Sequence, residues 1–67
     1  MSVAKVSEIS ATSPKGFEDA VQKGIARASK TLRNIRSAWI KEQSVRCENG
    51  HIVEYQVNMM VTFVLDD

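Results

Sequence analysis

The chain has 67 residues, and its nine lysines and arginines against eight acidic residues leave a formal net charge of +1. This length predicts one small domain, residues 1–67, that alone would bury only about 60% of its unfolded surface. The near balance of charge argues against nucleic acid and membrane partners, and the single cysteine excludes an internal disulfide. No apolar stretch approaches the length of a membrane span and no signal peptide is recognisable, so we expect a soluble, cytoplasmic protein.

The first half of the chain predicts a strand followed by an amphipathic helix. The strand runs from Val3 to Ala11, and Thr12-Ser13-Pro14 then supplies a capping hydroxyl and a proline at the first helical position. Apolar residues recur at intervals of three and four over about 20 residues, which predicts the helix. They are Phe17, Ala20, Val21, Gly24, Ile25, Ala28, Leu32 and Ile35. Because Gly24 lies on this apolar stripe, we expect the helix to approach a sheet closely there.

The second half predicts a β-hairpin. Every odd position from Val53 to Leu65 is apolar, which indicates a strand with one buried face. Asn49-Gly50 precedes it and is the preferred pair for a type I′ turn, so Ser37 to Cys47 should be the partner strand.

Counting outward from this turn gives a register and assigns residues to faces. It places Trp39 opposite Met60, Lys41 opposite Asn58 and Gln43 opposite Gln56. Because opposed residues share a face, Trp39 should lie with Gln43 and Gln56 on the polar face, away from the core. A β-bulge near the turn would reverse this assignment for half of the ladder.

These elements predict an α+β fold of β-α-β-β order. It has two layers, a three-stranded antiparallel sheet in the order 1-3-2 partly wrapped around one amphipathic helix. One helix covers only one side of a sheet, and an exposed, partly apolar face marks an interface or a ligand site. The residues expected on that uncovered face are Trp39, Gln43, Val45, Ile52, Gln56, Met60 and Val64.

Several short segments in this order resemble the dodecin family over essentially the whole chain. They are Thr12-Ser13-Pro14-Lys15-Gly16, the lone Trp39, Arg46, Glu54-Tyr55-Gln56-Val57 and the terminal Val61-Thr62-Phe63-Val64-Leu65. The resemblance implies a hollow homododecamer that binds flavins, chiefly FMN or a related species such as riboflavin or FAD. It further implies a storage or buffering role and no enzymatic activity.

The resemblance also implies roles for three residues. In dodecins the tryptophan at the position of Trp39 stacks on the flavin ring, and two flavins lie between the tryptophans of symmetry-related subunits. The glutamine matching Gln56 binds the polar edge of that ring. The arginine matching Arg46 is associated with the phosphate of FMN or with coenzyme A.

The chain departs from the family pattern at two places. Many bacterial members read Trp-Phe-Glu-Val where this chain reads Trp39-Ile40-Lys41-Glu42, and carry Phe-Arg-Leu where it has Phe63-Val64-Leu65. The missing second arginine argues against coenzyme A more than against flavin, so flavin is the expected ligand and the sequence leaves open whether coenzyme A also binds.

The residues support this interpretation independently, and they leave two alternatives open. An indole stacks on a large planar ring, and a carboxamide supplies both kinds of hydrogen bond that a uracil-like ring edge requires. One alternative is a structural oligomerisation module in which Trp39 lies in a dry protein interface. The other is a nucleic-acid binder that uses the cations Lys23, Arg27, Lys30, Arg33 and Arg36. No combination of residues in the sequence composes a catalytic or metal site.

Overall fold

The computed structural model describes residues 2–65, so Met1, Asp66 and Asp67 of the predicted domain lie outside the described residues. It contains β1 (Ala4–Ser13), α1 (Phe17–Ala28), β2 (Ile35–Glu48) and β3 (His51–Val64). The strands form a sheet in the order β1-β3-β2, with β3 antiparallel to both neighbours. The predicted fold class, element order and strand order are confirmed.

The turn between β2 and β3 is the predicted one. Asn49 has φ 52° and Gly50 has φ 78°, and a type I′ turn requires positive φ at both of its central residues. The strands that it joins are 14 residues each, and β2 extends beyond the predicted Ser37 to Cys47 at both ends.

The predicted start of the helix was wrong. Ser13 is the last residue of β1, and the helix begins at Phe17 after Gly16, without a capping side chain. The Ser13 hydroxyl accepts a hydrogen bond from the Lys15 backbone N–H at 3.0 Å and donates one to the Asp19 carboxylate. A serine side chain that bonds the backbone two residues later stabilises a turn, so Ser13 shapes the connection between strand and helix.

The helix is also shorter than predicted, at 12 residues. Beyond Ala28, hydroxyl groups bond the helix carbonyls, with Ser29 Oγ donating to Ala26 O at 2.8 Å and Thr31 Oγ1 to Ala28 O at 3.4 Å. Such bonds compete with the helical pattern. Asn34 then takes a φ of 62°, and Ile35, predicted as helical, becomes the first residue of β2.

The core lies between α1 and β3. Ala20, Gly24 and Ala28 are buried and lie about one turn apart, so small residues form the helix surface that meets the sheet. They pack towards Val57, Met59 and Val61, which are fully buried on the odd-numbered face of β3. Leu65, predicted on the same face, follows the end of β3 and is 43% exposed.

The helix covers only part of the sheet. Twelve helical residues span about 18 Å, whereas 14 strand residues span about 46 Å. The described chain accordingly extends over 52 × 19 × 13 Å. From Arg36 to Glu48 every residue of β2 is exposed, so the expected uncovered surface is present and includes both faces of this strand.

The register of β2 on β3 agrees with the prediction at Trp39 and departs from it nearer the turn. Trp39 pairs with Met60 as predicted, but Glu42, and not Lys41, lies opposite Asn58. Bulges at Lys41 on β2 and at Val53 on β3 shift the pairing between them by one residue. Gln43 and Val45 therefore lie opposite Val57 and Tyr55, on the face that carries the helix, and their predicted placement beside Trp39 was wrong.

We expect Gly24→Ala to destabilise the protein by roughly 1–3 kcal/mol, although alanine favours a helix. A Cβ at this position would overlap Met59 Cε and lie 3.1 Å from Ala11 Cβ. Urea unfolding at one fixed protein concentration measures the change. Met59→Val should relieve part of the loss in the double variant, and a more stable Gly24→Ala protein would contradict the close approach.

A second prediction concerns the pH dependence of stability. Hydrogen bonds from Ser13 and then Lys23 hold the pKa of Asp19 below its ordinary value. A lowered pKa in the folded state gives stability that is present above the ordinary pKa of about 3.9 and is lost as pH falls through the folded-state value.

Ser13→Ala should therefore lower the free energy of unfolding more at about pH 7 than at about pH 2.5, because protonation of Asp19 as pH falls through its folded-state pKa removes the charged acceptor of the Ser13 hydroxyl. Urea unfolding at the two pH values measures the difference. In an Asp19→Asn background the effect of Ser13→Ala should no longer depend on pH in this range. An equal loss at both pH values in the native background would show that Ser13 does not act through the carboxylate.

Candidate functional site

The candidate site is the face of the sheet opposite the helix, here called the helix-free face. It carries the even-numbered residues of β1 and of β3 from Glu54 onwards, together with the β2 residues that pair with them. Side chains on one face of a strand recur about every 6.6 Å, and neighbouring strands lie about 4.8 Å apart, so the face consists of evenly spaced rows.

Trp39 lies in a row with Met60 of β3 and Glu8 of β1. Its side chain is 50% exposed, and Met60 beside it is half-buried. An indole that is half exposed on a β-strand offers a flat apolar surface and loses little conformational entropy when a planar ligand stacks on it.

Gln56 lies on the same face, between Ser44 of β2 and Thr12 of β1. Its Nε2 donates a hydrogen bond to Ser10 Oγ at 2.9 Å. The residue is exposed, and the carboxamide retains a second N–H and its oxygen for a further partner.

Arg46 also reaches the helix-free face, because of the bulge at Lys41. Simple alternation from Trp39 would place Arg46 on the opposite face, but the shifted register sets it opposite Glu54. Its Nη1 lies 2.7 Å from Glu48 Oε2 and its Nε lies 3.6 Å from Glu54 Oε1. Both pairs are exposed, so they are weak and leave the guanidinium accessible to a stronger anionic partner.

The three residues named from the sequence share a face but do not converge within one chain. Gln56 lies two rows from Met60, the partner of Trp39, which is about 13 Å along the strand. The row of Arg46 is one further, about 20 Å from the row of Trp39. A stacked ring lies within about 7 Å of its partner and a hydrogen bond spans about 3 Å, so the three residues do not form one compact site within a chain.

Polar residues that the sequence analysis did not single out connect the strands around Trp39. Lys41 Nζ lies 3.2 Å from Glu8 Oε1, and Asn58 Nδ2 donates to Glu42 Oε1 at 2.8 Å. The first of these pairs joins the two edge strands across β3. No pattern in the sequence marks the pair of Asn58 and Glu42, because Glu42 reaches this face only through the bulge at Lys41.

Over residues 2–65, no group of three or more histidine, cysteine, aspartate or glutamate side chains is placed to hold a metal ion. In the same part of the chain, no helix has the length and apolar character needed to cross a membrane.

The fold and this face define a small module of one helix on a three-stranded sheet, with an exposed aromatic residue on the side away from the helix. The protein-family model for Dodecin matches residues 3–66 of the chain. The chain belongs to the dodecin family.

Individual relatives agree with this assignment over nearly their full length. Dodecin of Thermus thermophilus is 39% identical over 67 residues, covering 97% of this chain and 94% of the relative. Calcium dodecin of Mycobacterium tuberculosis is 33% identical over 63 residues, covering 94% and 89%. The solved structure of dodecin from Streptomyces davaonensis matches with a TM-score of 0.94 at 38% identity, covering 98% of this chain and 97% of that one.

Proposed function

We propose that this protein is a non-enzymatic, cytoplasmic flavin-binding protein that stores or buffers FMN, riboflavin or FAD. The observation that carries the proposal is Trp39, the only tryptophan, held half exposed on the face that the helix leaves bare. Stacking on an aromatic ring adds about 0.5–1.5 kcal/mol to the free energy of burying the surface. The implied role of the matching tryptophan in dodecins supports the same ligand.

The proposed active form is a hollow homododecamer. A chain of 67 residues has a marginal core, and here β2 is exposed on both faces beyond Ile35. Association with copies of the same chain would bury this surface. It would also bring Trp39 of one copy towards residues of others, which suits the wide separation of the site residues within one chain.

Within that assembly each site residue has a distinct role. Trp39 stacks on the flavin ring, and two flavins lie between the tryptophans of symmetry-related subunits. Gln56 binds the uracil-like edge of the ring through its carboxamide. Arg46 binds the phosphate of FMN, for which it must exchange its exposed pairs with Glu48 and Glu54.

The alternative function is a structural oligomerisation module whose Trp39 lies in a dry interface. It predicts the same assembly without a ligand, and so a single variant separates the two functions. We propose no nucleic-acid or membrane partner, because the net charge is +1 and Lys23 is paired with Asp19 at 3.2 Å.

We expect Trp39→Ala to abolish most flavin binding and to leave the particle intact. Aromatic platforms contribute about 1–3 kcal/mol per stacked nucleobase, and a flavin ring is at least as large. Trp39→Phe should retain part of the affinity. Quenching of flavin fluorescence during titration gives the affinity, and sedimentation velocity gives the particle size.

Ile40→Ala is the matched control, because Ile40 adjoins Trp39 and is 42% exposed but lies opposite Met59 on the other face. It should leave flavin affinity unchanged. If Trp39 is instead an interface anchor, its truncation should cost about 3–5 kcal/mol of stability and break up the particle with or without flavin. A disassembled Trp39→Ala protein would thus overturn the flavin assignment in favour of the structural module.

We also expect Gln56→Ala to weaken flavin binding by roughly 1–3 kcal/mol, because the ring edge loses its hydrogen-bonding partner. The assembly should persist, since the side chain is exposed on the helix-free face. Gln43→Ala is the matched control, because this glutamine lies opposite Val57 on the helix-bearing face. Equal affinities for the two variants in a flavin titration would show that Gln56 is not a ligand contact.

A further inference from the structure

The side chain of Gln56 forms a hydrogen bond with Ser10 of β1, which lies 46 residues earlier in the sequence. Its Nε2 donates to the hydroxyl of Ser10 at 2.9 Å. Thr12 and Ser44 lie directly opposite Gln56 on the two flanking strands, yet the bond goes to Ser10, one row away and opposite Asn58. The bond therefore orients the carboxamide towards β1 and towards the row that contains Asn58.

This bond leaves a defined set of groups on the carboxamide. A glutamine side chain has two N–H donors and one oxygen acceptor. With one N–H directed to Ser10, the second N–H and the oxygen remain as a donor and an acceptor in one plane. The uracil-like edge of a flavin presents a donor between two acceptors, and so it complements this pair.

The bond also restricts a flexible side chain before any ligand arrives. Gln56 is exposed, and a long exposed side chain loses rotamer entropy when a ligand immobilises it. A hydroxyl that already holds the carboxamide lowers that cost, because part of the ordering is present in the ligand-free protein. The effect depends on the hydroxyl group and not on the volume of the side chain.

We propose that Ser10 is a positioning residue for flavin binding, acting through its hydrogen bond to Gln56. This inference rests on the proposed function, because it assigns Ser10 a role at the ring edge that Gln56 binds. Ser10 itself need not touch the ligand.

The test compares Ser10→Thr with Ser10→Val, two side chains of the same shape that differ in the hydroxyl group. Both are β-branched and favour a strand, so their effects on the sheet should match. We expect Ser10→Thr to bind riboflavin within about twofold of the native protein. We expect Ser10→Val to bind about three- to tenfold more weakly, as for one lost hydrogen bond.

A second ligand separates positioning from a general loosening of the sheet. A riboflavin methylated at the ring nitrogen that carries the donor hydrogen cannot donate to the oxygen of Gln56. Ser10→Val should therefore discriminate less than the native protein between riboflavin and the methylated form. A loosened sheet would weaken both ligands equally and leave that ratio unchanged, which would overturn the inference.

The Gln56→Ala background completes the test. If Ser10 acts through Gln56, the valine and threonine variants should bind flavin equally once the carboxamide is gone. A difference that persists in this background would overturn the positioning role. Crystal structures of the ligand-free variants provide a readout without flavin, in which Gln56 should bond residue 10 in Ser10→Thr and turn away in Ser10→Val.

The possible failures are distinguishable. A native protein that binds no flavin would overturn the proposed function together with this inference. A native protein that binds flavin and loses affinity in Gln56→Ala, but whose Ser10→Val and Ser10→Thr variants bind alike, would overturn the role of Ser10 alone.

Discussion

Of the three register shifts between β2 and β3, the two nearer the turn have opposite effects and determine which side chains share the helix-free face with Trp39. An extra residue on β3, at Val53, and one on β2, at Lys41, each shift the register by one residue, and their effects cancel beyond Lys41. Because side chains alternate with a period of two, either bulge alone would have turned Trp39 towards the helix. Together they keep Trp39 opposite Met60 and turn Arg46 onto the face of Trp39. The chemistry of this face therefore depends on the pairing of β2 with β3.

The short helix explains why much of the hairpin has no cover within the chain. At Gly24 the helix lies close to the sheet, where an added Cβ would overlap Met59 Cε and lie 3.1 Å from Ala11 Cβ. A helix of 12 residues spans about 18 Å against about 46 Å for each 14-residue strand, and the residues of β3 nearest the turn are not buried. The fold thus secures a small core and leaves a long, exposed sheet for association or for a ligand.

Much of this arrangement could be predicted from the sequence, and the errors have identifiable causes. The odd-numbered apolar residues of β3 and the Asn49-Gly50 pair predicted the hairpin correctly, because both are strong local signals. The length of the helix was overestimated because Leu32 and Ile35 continue its apolar spacing, whereas hydroxyl groups at Ser29 and Thr31 bond the last carbonyls. Neither bulge contains glycine or proline, so nothing in the sequence marks its position. For this reason the sequence did not predict that Gln43 lies on the helix-bearing face and Arg46 on the helix-free face.

The three residues proposed to bind flavin are far apart along the sheet. Trp39, Gln56 and Arg46 occupy separate rows and have different cross-strand partners. Of the three, Gln56 is the one whose side chain forms a hydrogen bond with β1. A change at one row should therefore leave the local geometry of the others intact, since distant sites contribute almost independently. If copies of the chain complete the site, as we propose, their relative placement couples the rows. Variation at the contacts between copies could then alter ligand affinity without changing any residue that touches the ligand.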